Sequence, residues 1–209
     1  MKLVLASSSP RRREILSLLG APFDAIEPEF DERVTAHRSI EQEVLEFAVG
    51  KASSVAPRHP ESIIIGSDTM IFLDGAKIGK PKDCQDAARI LDSLSGKTHR
   101  IYTGVAIVDT SGGPGHTAIE EVSVDMRDYT RAEIDRYLAH NESLDKAGAY
   151  SIQGEGSRLI SAIRGDYLAA VGLPLRPIAG YLRQRGFSFP LDIERFYQQK
   201  AFRNWQRFA

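Results

Sequence analysis

Ser7, Ser8 and Ser9 stand directly before Pro10, and Arg11 and Arg12 follow at once. Ser9 is a good N-cap and Pro10 suits a first helical position, so a helix is expected to start here. A helix N-terminus offers free backbone N–H groups and a partial positive charge, which attract phosphate. The planar fork of arginine meets phosphate oxygens two at a time. A capped helix with solvated arginines is the plainer reading, and taken alone it is the commoner outcome. Against it, cations in a first helical turn oppose the dipole, and such local conflicts gather at functional sites. The stretch is therefore read as an anion site. It is not a P-loop, because G-x-x-x-x-G-K-[ST] is absent.

Lys51 follows Phe47 by one helical turn and Val44 by two, on what reads as an apolar face. There it either snorkels to the edge or points into a cleft. Asp68, in Gly66-Ser67-Asp68-Thr69, comes just after Ile63-Ile64-Ile65. It is expected at a strand end, where open α/β sheets place their ligand clefts. A carboxylate in that place holds Mg²⁺ or activates water; its plainer reading is a turn-former. Lys80, in Gly79-Lys80-Pro81, is a second candidate phosphate ligand or an exposed turn lysine. Asp31 and Glu32 form an acidic pair that either holds a metal or is solvated. Several cations with one or more carboxylates suit a nucleoside triphosphate and its metal. The histidines His37, His59, His99, His116 and His140 show no ligand spacing and are given no role. No G-x-S-x-G, H-E-x-x-H or G-x-G-x-x-G occurs, which disfavours those hydrolases and Rossmann cofactors.

The elements that must position these groups alternate. Leu3 to Ala6 reads as a buried strand, and the helix from Pro10 stops at Gly20. A second helix runs from about Ser39 to Ala56, with Ser39 and Gln42 at capping-box spacing. Ile63 to Ile65 is a strand, and Ile71 to Ile78 a hairpin turning at Asp74-Gly75. Asp83 caps a helix that ends near Gly96, and Thr130 with Glu133 caps another. Tyr102–Val108, Ala118–Met126, Leu159–Ile163 and Tyr167–Val171 read as strands, and Leu175–Arg185 as a helix. The fold class expected is α/β with a mixed sheet. Residues 1–186 form one domain, and 187–209 form an aromatic, basic extension that reads as a docked helix.

Composition narrows the partners. The 209 residues are 42% apolar and 26% charged, ordinary for a folded soluble chain. Lys and Arg total 27 against 28 Asp and Glu, a net charge of −1. No bulk field exists to hold duplex nucleic acid or a membrane surface. A single Cys84 rules out an internal disulfide and a Cys-rich zinc site. The apolar start is too short for a signal peptide and is followed by Arg11-Arg12-Arg13, so a cytoplasmic location is expected.

Ala6-Ser7-Ser8-Ser9-Pro10-Arg11-Arg12 resembles the opening motif of the Maf family of nucleoside triphosphate pyrophosphatases. The resemblance continues in order through Gly66 to Thr69, Gly79-Lys80-Pro81, Leu94-Ser95-Gly96, Asp145 to Tyr150, Ile152-Gln153-Gly154 and Val171 to Pro174. It reaches about Gly186 and leaves the aromatic tail outside. It implies an elongated α/β fold similar to that of inosine triphosphatases, with two lobes around a central cleft. It further implies hydrolysis of a nucleoside triphosphate to the monophosphate and pyrophosphate with a divalent metal cation, Mg²⁺, Mn²⁺ or Co²⁺. Carried over, Asp68 is the catalytic acid or base and a metal ligand, with Glu32 near the metal. Ser7, Arg11, Arg12, Lys51 and Lys80 surround the phosphates. Arg12, Thr69 and Gln153 set base preference and resemble the branch acting on dTTP and UTP. A second branch, acting on 7-methyl-GTP, tends to carry Gln after the Asp and a Ser-Glu-Gly loop, and Gly79 before Lys80 is more typical of it. The alternatives are that second branch, or a non-catalytic nucleotide-binding regulator of septum formation. A homodimer is a family-level expectation, as is a role in cleaning the nucleotide pool, modified pyrimidine triphosphates included. Both lysines are expected to serve activity with little effect on melting temperature.

Overall fold

The computed structural model describes residues 1–35 and 37–208. Strand β1 (Lys2–Ala6) leads through the serine loop into helix α1 (Pro10–Ser17), and a short strand β2 (Asp24–Ile26) follows. Helix α2 (Ile40–Val55) precedes the long strand β3 (Ser62–Leu73), which turns into β4 (Ala76–Ile78). Helix α3 (Cys84–Leu94), strands β5 (Thr98–Asp109) and β6 (His116–Met126), and helix α4 (Arg131–Leu138) come next. After two 3₁₀ turns come strand β7 (Ile160–Arg164) and helices α5 (Tyr167–Val171), α6 (Leu175–Gln184) and α7 (Ile193–Gln199).

The strands form one seven-stranded sheet in the order β2-β1-β3-β5-β6-β7, with β4 beside the far end of β3. β1 runs parallel to β2 and β3, whereas β3, β5, β6 and β7 pair antiparallel, so the sheet is mixed as expected. The apolar runs of β1 and β3 are buried on both faces, the usual state of strands covered by helices on either side. Leu3, Leu5, Ile63 and Ile65 enter a core shared with α1, α3, α5 and α6. Val4, Ala6 and Ile64 instead meet Ala52 and Val55 of α2. Among the described residues, no helix is long and apolar enough to cross a membrane.

Helix starts follow their local signals. Ser9 accepts from Arg12 N–H, Asp83 from Asp86 N–H, and both capping boxes form. Tyr167–Val171 departs from expectation, being a helix and not a strand. Asp166 caps it, accepting from the N–H groups of Leu168 and Ala169. A five-residue apolar run buried all round has no periodicity to separate the two states, so the cap decides. The other departure concerns Asp68. β3 does not stop before it but runs unbroken from Ser62 to Leu73.

The tail packs on the domain. Trp205 stacks on Tyr167 at 5.1 Å between centroids, and Phe196 and Tyr197 of α7 meet its edges. Tyr197 Oη donates to Asp166, the α5 cap.

Candidate active site

Asp68 is in mid-strand, yet it still lies at a strand end, that of the neighbouring β1. β1 pairs with β3 up to Ala6 opposite Gly66, and β4 takes up pairing only at Ile71. Residues 67–70 therefore lack a strand partner on that edge, and a cleft of about 770 Å³ opens there. Of the site residues named from sequence, Ser7, Arg11, Arg12, Glu32, Lys51, Asp68, Thr69, Lys80 and Gln153 line it.

The floor is built by close packing. Gly66, Asp68 and Met70 share one face of β3 by strand alternation. A Cβ on Gly66 would stand 2.2 Å from the Ala48 carbonyl oxygen, so only glycine lets α2 approach this closely. Gly104, opposite Asp68 on β5, is needed in the same way, since its Cβ would stand 2.8 Å from Val44 O. With α2 pressed down at Ala48, Lys51 lies one turn further, over Asp68. Its Nζ is 2.6 Å from Asp68 Oδ1 and 2.6 Å from Glu32 Oε1. Lys51 and Asp68 are each only 6% exposed, so the lysine points into the cleft and does not snorkel. This alters one expectation: removing Lys51 would strand a buried carboxylate, so its loss affects stability as well.

Of the acidic pair, Glu32 faces the site, while Asp31 turns away to Arg33 at 2.6 Å. The Glu32 segment is pinned by a device with no sequence signal. Glu43 of α2 is fully buried and accepts from Thr35 N–H and from Lys77 Nζ, each at 2.5 Å. Lys77 also donates to the carbonyls of Thr35 and Arg38. Burial pushes the Glu43 carboxyl up, but the Lys77 and Thr35 hydrogen bonds and the Lys77 and Arg38 charges outweigh it and hold it below the usual range. From sequence Glu43 reads only as a helix-dipole charge.

Across β3, Thr69 Oγ1 meets Thr103 Oγ1 at 3.0 Å, and Thr103 donates to Ala169 O. Arg12 Nη2 donates to Thr69 Oγ1 at 3.2 Å, and Arg12 Nε donates to Gly172 O at 2.8 Å. Ser67 Oγ reaches Gly172 O as well. Arg12 thus braces α1 against β3 and the loop after α5, and Thr69 is part of that brace. Burial lowers the pKa of the Arg12 guanidinium, and the Asp68 charge works the other way.

Arg11 is more open and lies 3.4 Å from Asp145. Ser7 is buried and its Oγ accepts from Ser9 N–H, leaving the hydroxyl proton available for an acceptor. Lys80 is exposed on the rim, and its loop is tied to the 145–153 segment by Gly148 N–H donating to Gly79 O. Among the described residues no carboxylate pairs with Lys80, so its charge is available to a ligand. Lys80→Ala is expected to lower kcat/KM at least about tenfold, while stability stays within ~0.5 kcal/mol. Steady-state kinetics beside a thermal melt checks both halves.

Tyr150 lines the cleft, and its hydroxyl lies 2.7 Å from His99 Nε2 behind it. His99 is 1% exposed, and among the described residues its Nδ1 has no partner. Burial pushes its pKa down from 6.5 to about 4, with Asp125 pulling weakly upward. The unfolded chain therefore binds the proton first. Stability from neutral His99 is full above pH 6.5 and is lost as pH falls toward 4, by about 3 kcal/mol in all. Urea unfolding at pH 7 and pH 4 should show wild type losing that much more than His99→Gln. Parallel losses would contradict a neutral buried His99.

The donor set for a metal is sparse. Among the described residues no cluster of three or more His, Cys, Asp or Glu could hold an ion alone. Asp68 and Glu32, converging on one ammonium, offer two carboxylates. That fits Mg²⁺-like ions, which take one or two carboxylates and complete their shell with phosphates and water.

The site is thus a buried carboxylate beneath cations, in a cleft floored by a strand edge of an α/β fold. The Maf-like protein family model matches residues 2–185, and the chain belongs to that family. It is 44% identical over 183 residues to the dTTP/UTP pyrophosphatase of Bacillus cytotoxicus, covering 88% of this chain and 95% of that protein. A relative of the same name from Bacillus anthracis is 43% identical over 192 residues, with 92% and 97% covered. The solved structure of the Staphylococcus aureus Ham1 protein aligns at a TM-score of 0.43 and 16% identity, over 61% of this chain and 73% of that one.

Proposed function

We propose that the protein is a pyrophosphatase that hydrolyses dTTP and UTP to the monophosphate and pyrophosphate, clearing such nucleotides, modified analogues included, from the pool. The observation that carries this reading is the Lys51–Asp68–Glu32 group on the floor of the cleft, beside Arg11, Arg12 and Lys80. The names of the relatives support the substrate. In this reading Asp68 takes the proton of a water that adds to a phosphorus atom beside the α–β bridging oxygen. The bond to that oxygen breaks, and pyrophosphate leaves. Lys51 holds the Asp68 carboxylate in place through a 2.6 Å contact. Ser7, Arg11 and Lys80 balance the charge of the phosphates. A divalent cation held by Asp68 and Glu32 supplies Lewis-acid stabilisation when bound.

Gln153 reads the base edge through an amide that both donates and accepts, as the O4 and N3–H of uracil or thymine require. Cytosine reverses that pattern and is rejected. Pyrophosphate release from UTP, dTTP, CTP, ATP and 7-methyl-GTP, with Mg²⁺, Mn²⁺ or Co²⁺ and after chelation, tests the whole reading. UTP and dTTP are expected to lead, and chelation to stop release. Gln153→Glu removes the donor and sets a second carboxylate against Glu14, which lies 3.2 Å from the amide nitrogen. It is expected to cost roughly 1–3 kcal/mol in kcat/KM for UTP and less for CTP. A wild type preferring 7-methyl-GTP would move the protein to the other branch.

A further inference from the structure

Residues 203 and 204 lie beyond the stretch that the family model covers, yet they contact the two chain neighbours of Gln153 and the carboxylate that its amide meets. Asn204 Nδ2 donates to Ile152 O at 3.2 Å and to Gly154 O at 3.5 Å, the carbonyls on either side of Gln153. Its neighbour Arg203 has Nε 3.2 Å from Glu14 Oε1, while Glu14 Oε2 accepts from Gln153 Nε2 at 3.2 Å. A carboxylate only accepts, so Glu14 forces the NH₂ end of the Gln153 amide toward α1. The amide can then present its oxygen and its second N–H in one orientation only.

The segment is itself anchored. Tyr167 Oη donates to Arg203 O at 2.5 Å, and Trp205 stacks on the Tyr167 ring. Asn204 takes a left-handed backbone, with φ at 60°, a conformation that asparagine and aspartate tolerate better than most residues. The turn thereby aims the Asn204 side chain back at the loop.

We propose that Arg203 and Asn204 of the C-terminal extension are positioning residues for the base-reading amide of Gln153, acting on its loop through the carbonyls of Ile152 and Gly154 and on its side chain through Glu14. The inference rests on Gln153 reading a pyrimidine base, as argued above. The class of ligand it selects is a nucleotide whose base offers an acceptor beside a donor, as uracil and thymine do.

The test uses the full chain. Asn204→Asp keeps shape and backbone tolerance but replaces the donor with an acceptor facing two carbonyls. Asn204→Gly keeps the backbone and removes the side chain. Glu14→Gln keeps shape but no longer dictates the amide orientation. Trp205 is the only tryptophan in the sequence, so its fluorescence reports whether the extension stays docked. With emission unchanged, each variant is expected to raise KM for UTP about tenfold with little change in kcat, the mark of lost uniform binding. kcat/KM for CTP should move far less, so the UTP-to-CTP ratio falls. Arg203→Ala should act in the same direction but weakly and only at low salt, because its ion pair is exposed. Where Asn204→Asp shifts the Trp205 emission, Asn204→Gly and Glu14→Gln carry the test. An unchanged ratio in the docked variants overturns the proposal, as does an equal loss on UTP and CTP. A wild type with no preference for UTP over CTP overturns the substrate reading and this proposal together. A preference that survives every variant overturns this one alone.

Discussion

Asp68→Asn is expected to cut kcat by ~10²–10⁴-fold, the usual contribution of a general base. The amide is nearly the same shape, so the packing of α2 on Gly66 and Gly104 is kept. It still offers an oxygen to Lys51 at the position of Oδ1, now 2.6 Å from Nζ. It cannot take a proton from water, and it is a poor metal ligand. KM for UTP should change far less than kcat, because Arg11, Lys80 and Ser7 still meet the phosphates. Burst-free steady-state kinetics with a circular dichroism melt distinguishes this from misfolding. A folded variant with wild-type kcat would remove Asp68 from the chemistry and leave the cleft as a binding site only.

Lys51→Met should produce the second large effect, and on two readouts at once. Methionine keeps most of the stem volume, so the change is one of charge. Lys51 and Asp68 side chains are 8% and 9% exposed, so solvent does little to replace the lost ammonium. Breaking a buried pair by removing one partner costs about 3–5 kcal/mol. kcat/KM should fall by at least ~10²-fold, since the base loses its orientation and the phosphates lose a cation. The stability loss must shrink when Asp68 is already Asn, because the buried carboxylate is then gone and only the half-exposed Glu32 loses its partner. A double-mutant cycle by urea unfolding measures that coupling. If Lys51→Met is fully stable and only catalysis suffers, the pair is not the structural element its burial indicates.

Much of the site's chemistry was legible residue by residue. The serine–arginine helix start, the Gly66-to-Thr69 motif, Lys51 and Lys80 could each be named from type and neighbours. Ser7 to Arg12, Lys51, Lys80, Asp68 and Thr69 line one cleft. The brace made by Arg12 and Thr69 was not legible. Arg12 is 160 residues from Gly172 and 57 from Thr69, and no local pattern announces such a partner. Glu43 and Lys77 are 34 apart, and each taken alone looks like an ordinary surface charge. His99 had no ligand spacing because its partner is the Tyr150 hydroxyl, 51 residues on, and not a metal.

What the chain could settle by itself were features whose energetics close within a few residues. The Ser9, Ser39, Asp83 and Thr130 caps each satisfy a free N–H three positions ahead, so they form wherever the chain goes next. The alternation of Leu3, Val4, Leu5 and Ala6 likewise dictates a strand with two covered faces. Asp68 shows the limit. Its own strand continues past it, and the site exists because the parallel neighbour β1 stops opposite Gly66. That stop depends on the register of two segments 60 residues apart in the chain, with Ala6 opposite Gly66. The partnership of Lys51 with Asp68 then depends on how closely α2 can settle, which Gly66 and Gly104 decide by having no side chain. Register and interlayer distance are properties of packed surfaces, so only the tertiary structure could determine which charges meet.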